Sequence, residues 1–201
     1  MAQVTLNSLR DARINNQDPT GNYGNAGEIY IGNSNGAGDQ TYRSLIHFDL
    51  STIPAGSTIT AAVLRITVLD DLSDNARTIS AYRVLRAWTE AGVTWNKFDG
   101  TSDWGTAGCA NTTTDREAAN IGTAAQPASP SINDVISITL TASKVQEWFT
   151  GVLANNGVLL QVDTEANDAI GYDSSEGTDV PTLLVTYTPP ATQVKNYAYF
   201  M

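Results

Sequence analysis

The chain is poor in the residues that most enzymes and metal proteins depend on. It has one cysteine, Cys109, and one histidine, His47, in 201 residues. A single cysteine excludes an intrachain disulfide. Without a second histidine or cysteine there is neither a zinc-type ligand set nor a thiol triad. Basic residues are also scarce, at 11 Lys+Arg against 21 Asp+Glu and a formal charge of −10. That balance argues against nucleic acid, whose phosphates require a basic patch, and against an anionic membrane surface. No apolar run approaches the roughly 20 residues of a spanning helix. Charged residues make up 16% of the chain, below the roughly 25% usual for soluble domains, so Thr, Ser, Asn and Gln carry the polar surface. Met1–Leu6 shows no basic stretch leading into an apolar core, so no secretory leader is visible there.

What the sequence does have is period-two hydrophobicity. In Arg43–Leu50 (RSLIHFDL), Ile46, Phe48 and Leu50 fall on one face, with Leu45, His47 and Asp49 on the other. Leu64, Ile66 and Val68 repeat the pattern after a Pro54-Ala55-Gly56 turn. Other strands are predicted at Val4–Leu9 and Asp11–Ile14 (read as a pair), Glu28–Gly32, Arg77–Leu85, Val135–Leu140, Val158–Asp163, Ala169–Ser174 and Thr182–Thr188. From Ala87 to about Gln126 no period is sustained, which predicts a long surface excursion. One helix is predicted over Ala142–Ala154, with Val145, Trp148, Phe149 and Val152 on its apolar face. Thr141 is its expected cap, and Asn155-Asn156-Gly157 its stop. Roughly ten short strands and one helix predict an all-β chain, an antiparallel β-sandwich or jelly roll over residues 1–188. Pro189-Pro190 then opens a C-terminal tail, residues 189–201, ending in Tyr197-Ala-Tyr199-Phe200-Met201.

Several motifs in order resemble the disaggregatase-related (DNRLRE) family. They are Asp11-Ala12-Arg13-Ile14, Asn22-Tyr23-Gly24, Arg43-Ser44-Leu45 leading into Phe48-Asp49-Leu50-Ser51 and Ile53-Pro54, the run Ile59 to Leu64, Trp88-Thr89-Glu90 and Val93-Thr94-Trp95-Asn96. Tyr172-Asp173-Ser174-Ser175-Glu176 and Pro181, Leu183, Val185 and Tyr187 complete them. The resemblance covers about residues 5–188 and implies a carbohydrate-binding type of jelly roll, of the kind attached to microbial surface enzymes, with related modules binding acidic polysaccharides. It also leaves room for a structural calcium at a loop edge, with ligands unassigned. The acidic run Asp163–Asp168 is not an EF-hand, since positions six and twelve are Asp168 and Ser174 in place of Gly and Glu.

Nothing in the chain has the spacing of a catalytic motif. Ser174 and Ser175 lack nucleophile-elbow glycines, and the Gly/Asn run 33–38 lacks the Lys-Ser/Thr of a phosphate loop. The chain is therefore expected not to be an enzyme. For sugar stacking, Trp104 and Tyr30 are the expected aromatics, Trp104 because its neighbours are Asp, Gly, Ser and Thr, and Arg13 is expected to meet an acidic sugar. Trp88, Trp95 and Trp148 are expected to pack in the interior.

Two functions follow as expectations. One is a structural protein of a larger assembly, a virion surface protein such as a phage head-decoration or tail-associated subunit. It would be made in the host cytoplasm and would contact copies of itself and a capsid through Tyr197, Tyr199 and Phe200. The other is a secreted, extracellular carbohydrate-binding module whose partner is a polysaccharide.

Overall fold

The computed structural model describes residues 1–34, 39–72, 75–166 and 168–191. The expected interface residues Tyr197, Tyr199 and Phe200 lie outside the described residues. Ten strands and one helix follow in the order β1 (Ala2–Asn15), β2 (Glu28–Ser34), β3 (Gln40–Phe48), β4 (Thr58–Asp71), β5 (Arg77–Arg83), β6 (Gly122–Gln126), β7 (Val135–Leu140), α1 (Ala142–Phe149), β8 (Val158–Val162), β9 (Ile170–Asp173) and β10 (Thr182–Thr188). Every strand pairing is antiparallel.

The all-β reading holds, but the sheet does not split into two separate layers. Its ladders run β1-β10-β4-β7-β6-β5-β8-β3 and return to β1, closing an eight-stranded ring, while β2 and β9 bridge β3 to β4. Closure leaves the strands of the ring no free edge. Two long strands make it possible. The stretch expected as a strand pair, residues 4–14, is one bent strand. A register shift between Ser8 and Arg10 lets β1 pair with β10 over its first half and with β3 over its second. β4 shifts register in the same way between Val68 and Asp70, where it meets β9. Bulges of this kind turn a strand without ending it.

The expected core residues Ile46, Phe48, Leu50, Leu64 and Ile66 are all buried in one cluster that fills the ring. The opposite face of β3 was expected to look outward, yet Leu45 is fully buried. It belongs to a second cluster with Ala12, Ile14, Val84, Trp88, Val93, Trp104, Cys109 and Leu159. The connection between β5 and β6 covers that face. Although it contains no strand or helix among the described residues, it is ordered around Asp115, which is fully buried. The Asp115 carboxylate accepts from the amides of Gly105 (2.7 Å), Thr106 (3.0 Å) and Asn111 (3.1 Å) and pairs with Arg86. β6 escaped prediction because Gly122–Gln126 has no apolar alternation to read.

The helix is shorter than expected. Gly151 adopts φ 72° one residue after Thr150 and stops it, so Val152 lies outside the apolar face and is exposed. Thr141 occupies the cap position in extended conformation but makes no side-chain cap bond. The Pro54–Ser57 turn is as read: the Ser57 amide donates to Pro54 O and Gly56 takes φ 81°.

Candidate functional site

Arg13 of β1 and Tyr30 of β2 come together on one face of the sheet. Arg13 lies opposite Ser44 of β3, whose hydroxyl donates to the Tyr30 carbonyl at 2.7 Å. The Arg13 guanidinium carbon is 4.5 Å from the Tyr23 ring centre and 5.1 Å from that of Tyr30. Such cation–π contacts hold a planar cation between two rings. Arg13 Nη1 donates to Glu28 Oε1 at 2.7 Å and to the Glu28 carbonyl at 3.2 Å, while its Nε is buried without a hydrogen-bond partner. Tyr42 of β3 extends the row, its ring centre 5.2 Å from that of Tyr30.

Neighbouring carboxylates fix the rings at their phenolic ends. Tyr30 Oη donates to Asp70 Oδ2 at 3.3 Å, and Tyr23 Oη to Asp18 Oδ2 at 2.8 Å. Burial, with the charges of Asp70 and Glu28 beside it, pushes the Tyr30 phenol up to about 12. Burial and the bond to Asp18 raise that of Tyr23. Both therefore remain neutral donors at physiological pH. Tyr30 also depends on a glycine across the ladder. A Cβ on Gly171 of β9 would stand 2.8 Å from Tyr30 Cε1 and 3.1 Å from Asp70 Cβ, so only glycine leaves room for the ring.

Next to Tyr23 the surface opens into a polar cleft of about 350 Å³, lined by Thr20, Asn22, Gly92, Thr94 and Lys97 among others. The Asn22 amide donates to Glu90 O and Val93 O, both at 2.7 Å, and ties the Tyr23 loop to the connection that covers the second core. Beneath this tie Asp11 is 1% exposed. Its amide donates to Glu90 Oε1 and its carboxylate accepts from the Ser175 amide. Burial pushes Asp11 up to about 7, against the Ser175 amide that favours its charge, and the nearby Glu176 adds to the rise. Burial and Glu176 raise Glu90 too, with Arg10 opposing.

A testable pH dependence follows. Folded Asp11 holds its proton over a range in which the unfolded chain, at about 3.9, has lost it. Its contribution is fully present below about pH 4 and is lost as pH rises through about 7. His47, lowered mainly by burial, acts in the opposite sense below its ordinary value. The comparison that isolates Asp11 is wild type against Asp11→Asn. Urea unfolding should show wild type losing on the order of 3 kcal/mol between about pH 5 and about pH 8 relative to the variant. Parallel pH profiles would disprove it.

The tryptophans are arranged differently from the expectation. Trp104 is 5% exposed, with its indole N–H donating to Thr94 O at 3.0 Å and its ring against Phe98. Short polar neighbours surround it in sequence, but the fold turns the indole inward, and it offers no platform. Trp88 and Trp148 are buried as expected. Trp95 is only partly covered, with Arg43 stacked on it at 5.1 Å. Sequence reasoning missed Tyr23 and Tyr42 as members of the aromatic row, although Asn22-Tyr23-Gly24 was among the motifs read.

The acidic turns are occupied. Glu165 forms a two-pronged pair with Arg43 at 2.7 and 3.0 Å, and Asp168 pairs with Arg77 at 2.6 Å. Among the described residues no group of three or more His, Cys, Asp or Glu side chains is placed to hold a metal ion. Cys109 is buried, and burial keeps its thiol protonated and unreactive.

The family model of carbohydrate-binding module family 96 matches residues 2–112, which include Arg13, Tyr23, Tyr30, Tyr42 and Lys97. The chain belongs to this family. No curated protein matches it. The match bears out the carbohydrate-binding part of the motif resemblance; it does not carry the disaggregatase-related name. Such families are binding modules without catalysis, in keeping with the expectation of a non-enzyme.

Proposed function

We propose that the protein is a non-catalytic, extracellular polysaccharide-binding module whose contact face is the row Tyr23–Arg13–Tyr30–Tyr42 with the adjoining Lys97 cleft. The observation that carries this reading is the juxtaposition of three partly exposed tyrosines, two of them flanking one guanidinium and the third stacked beside Tyr30, all inside the segment that matches the family. Tyrosine rings offer flat apolar faces to the C–H side of a sugar ring, and the hydroxyls of Tyr23 and Tyr30, already donating to Asp18 and Asp70, keep lone pairs that accept from sugar hydroxyls. Glu28 takes Nη1 of Arg13 only, so the Nη2 end of the guanidinium is the part suited to a sugar carboxylate. The family favours this role over that of a virion subunit.

A glycan array followed by titration calorimetry tests the proposal. Tyr30→Ala should weaken binding by about tenfold or more, a loss of about 1.4 kcal/mol or more. Arg13→Lys keeps the charge but loses the planar fork, and should cost most with uronate polymers. Trp104→Ala is not a binding probe, because the indole is buried. Unchanged affinity in Tyr30→Ala would overturn the assignment of the face.

A further inference from the structure

A larger cleft lies elsewhere, at the end of β3 away from Tyr42. Asp49 follows Tyr42 by seven residues, about 23 Å at the rise of a strand. The cleft measures about 530 Å³. Trp148, Phe149 and Ile53 form its apolar wall, and Asp49, Ser51 and Thr150 stand at its rim. The three rim residues are exposed, Phe149 is half-buried and Trp148 is buried. Asp49 is the single charged residue among the described residues that line the cleft. Hydrogen bonds from the Ser51 amide (2.9 Å) and hydroxyl (2.7 Å) hold its carboxyl below the usual range, so it remains ionised. The floor is firmly built. Asn155 donates to Phe48 O at 2.8 Å and its carbonyl takes the His47 ring nitrogen at 3.1 Å, fixing the far wall to β3.

We propose that this cleft is a second ligand site, selective for an uncharged sugar. The class of ligand rests on the carbohydrate-binding reading; the position and the charge selectivity rest on the cleft itself. The half-buried Phe149 ring can accept the apolar face of a pyranose, and a fixed carboxylate with unused lone pairs accepts from neighbouring sugar hydroxyls. A volume of this size is within the range of small-ligand clefts and accommodates one or two sugar rings. The two sites differ in whether a cation is present. Arg13 gives the tyrosine row a cation, whereas Asp49 stands without one in the helix-end cleft and repels a uronate. Placed at opposite ends of β3, they would let one module engage two stretches of glycan, or two chemically different chains, and gain from effective concentration.

The test is a two-dimensional amide and indole NMR titration of the full chain with cellohexaose, mannohexaose and hexagalacturonate. A neutral hexasaccharide should shift the Trp148 indole, Thr150 and Asn155 signals. Ser51→Trp, an exposed change that fills the cleft without removing core, should weaken that binding by about tenfold or more. Phe149→Ala should do the same, and Tyr30→Ala should leave it unchanged. The proposal is overturned if neutral sugars perturb only the tyrosine row, if Ser51→Trp binds like wild type, or if hexagalacturonate occupies the cleft as well as the neutral sugars do. Failure of all three sugars to bind at either place would instead overturn the carbohydrate-binding reading and this inference with it.

Discussion

Asp168→Ala should cost the fold about 3–5 kcal/mol, the range for removing one partner of a buried ion pair. The side chain is fully buried and its oxygens serve three elements. Oδ1 accepts from the Asn33 amide at 2.6 Å, at the point where β2 leaves β9 for β3. Oδ2 accepts from Arg77 Nε at 2.6 Å and from the Ala166 amide at 2.9 Å. The Asp168 carbonyl takes the Gln126 side-chain amide, and Gln126 in turn accepts from the buried Tyr172 hydroxyl. Gly32 makes the close approach possible, since at φ 111° a Cβ there would stand 2.5 Å from Asp168 O. Removing the carboxylate takes away the acceptor of two backbone amides and leaves Arg77 uncompensated, though partly exposed Arg77 can recover some hydration. Asp168→Asn keeps an acceptor without the charge and should cost roughly half as much. Urea unfolding of both variants measures the difference. A loss under about 1 kcal/mol in the alanine variant would mean that the cluster is not holding β2, β5 and β9 together.

Little of that hub was readable beforehand. Asp168 belongs to an acidic run that looks like a solvated turn, and only the fold brings Arg77 and Asn33 to it, 91 and 135 residues away in sequence. What could be read was the period-two pattern. Ile46, Phe48, Leu64 and Ile66 alternate with polar residues, so a single face is marked without knowledge of any partner. Leu45 was misread for the same reason. Alternation assigns a residue to one of two faces, but it cannot say that both are covered. The covering element is an irregular connection held by Asp115 and by buried Trp88 and Trp104, and its order comes from side-chain hydrogen bonds instead of periodicity. Ring closure was equally hidden, because bulges at Ser8–Arg10 and Val68–Asp70 interrupt long strands without a Gly or Pro to mark them.

The candidate site was half legible. Arg13, from a motif in β1, and Tyr30, from a separate short strand, were chosen independently and turn out to be stacked. Tyr23 and Tyr42 were missed because a tyrosine in a loop and another at a strand end carry no periodic signal. Trp104 was chosen on the polarity of its neighbours, which reports the solubility of a segment and not the direction of one side chain. A tryptophan buries 150–250 Å² when it turns inward, and here Thr94 O supplies the acceptor that makes this affordable.

Phe48→Ala should be comparably damaging, at about 3–5 kcal/mol, through lost transfer energy plus the cavity left behind. Phe48 is 5% exposed at the last position of β3. It lines one small void together with Leu140, Trp148, Val158 and Leu183 and shares their core cluster, so four elements beside its own converge there. The space already present there is about 10 Å³, too little for a water molecule to fill. Truncation would therefore leave a dry void that the helix could close only by sliding on the barrel. Phe48→Leu keeps most of the volume and should cost less than about 1.5 kcal/mol. Because Trp148 of the helix lines the same small void as Phe48, its fluorescence reports on whether the helix has moved. The expected result is a large drop in unfolding midpoint for the alanine variant, with an altered Trp148 signal before unfolding begins. A small loss of stability with an unchanged Trp148 signal would show that Phe48 does not support the helix, and would shift the register assigned to β3 by one residue, moving its whole apolar set to the other face.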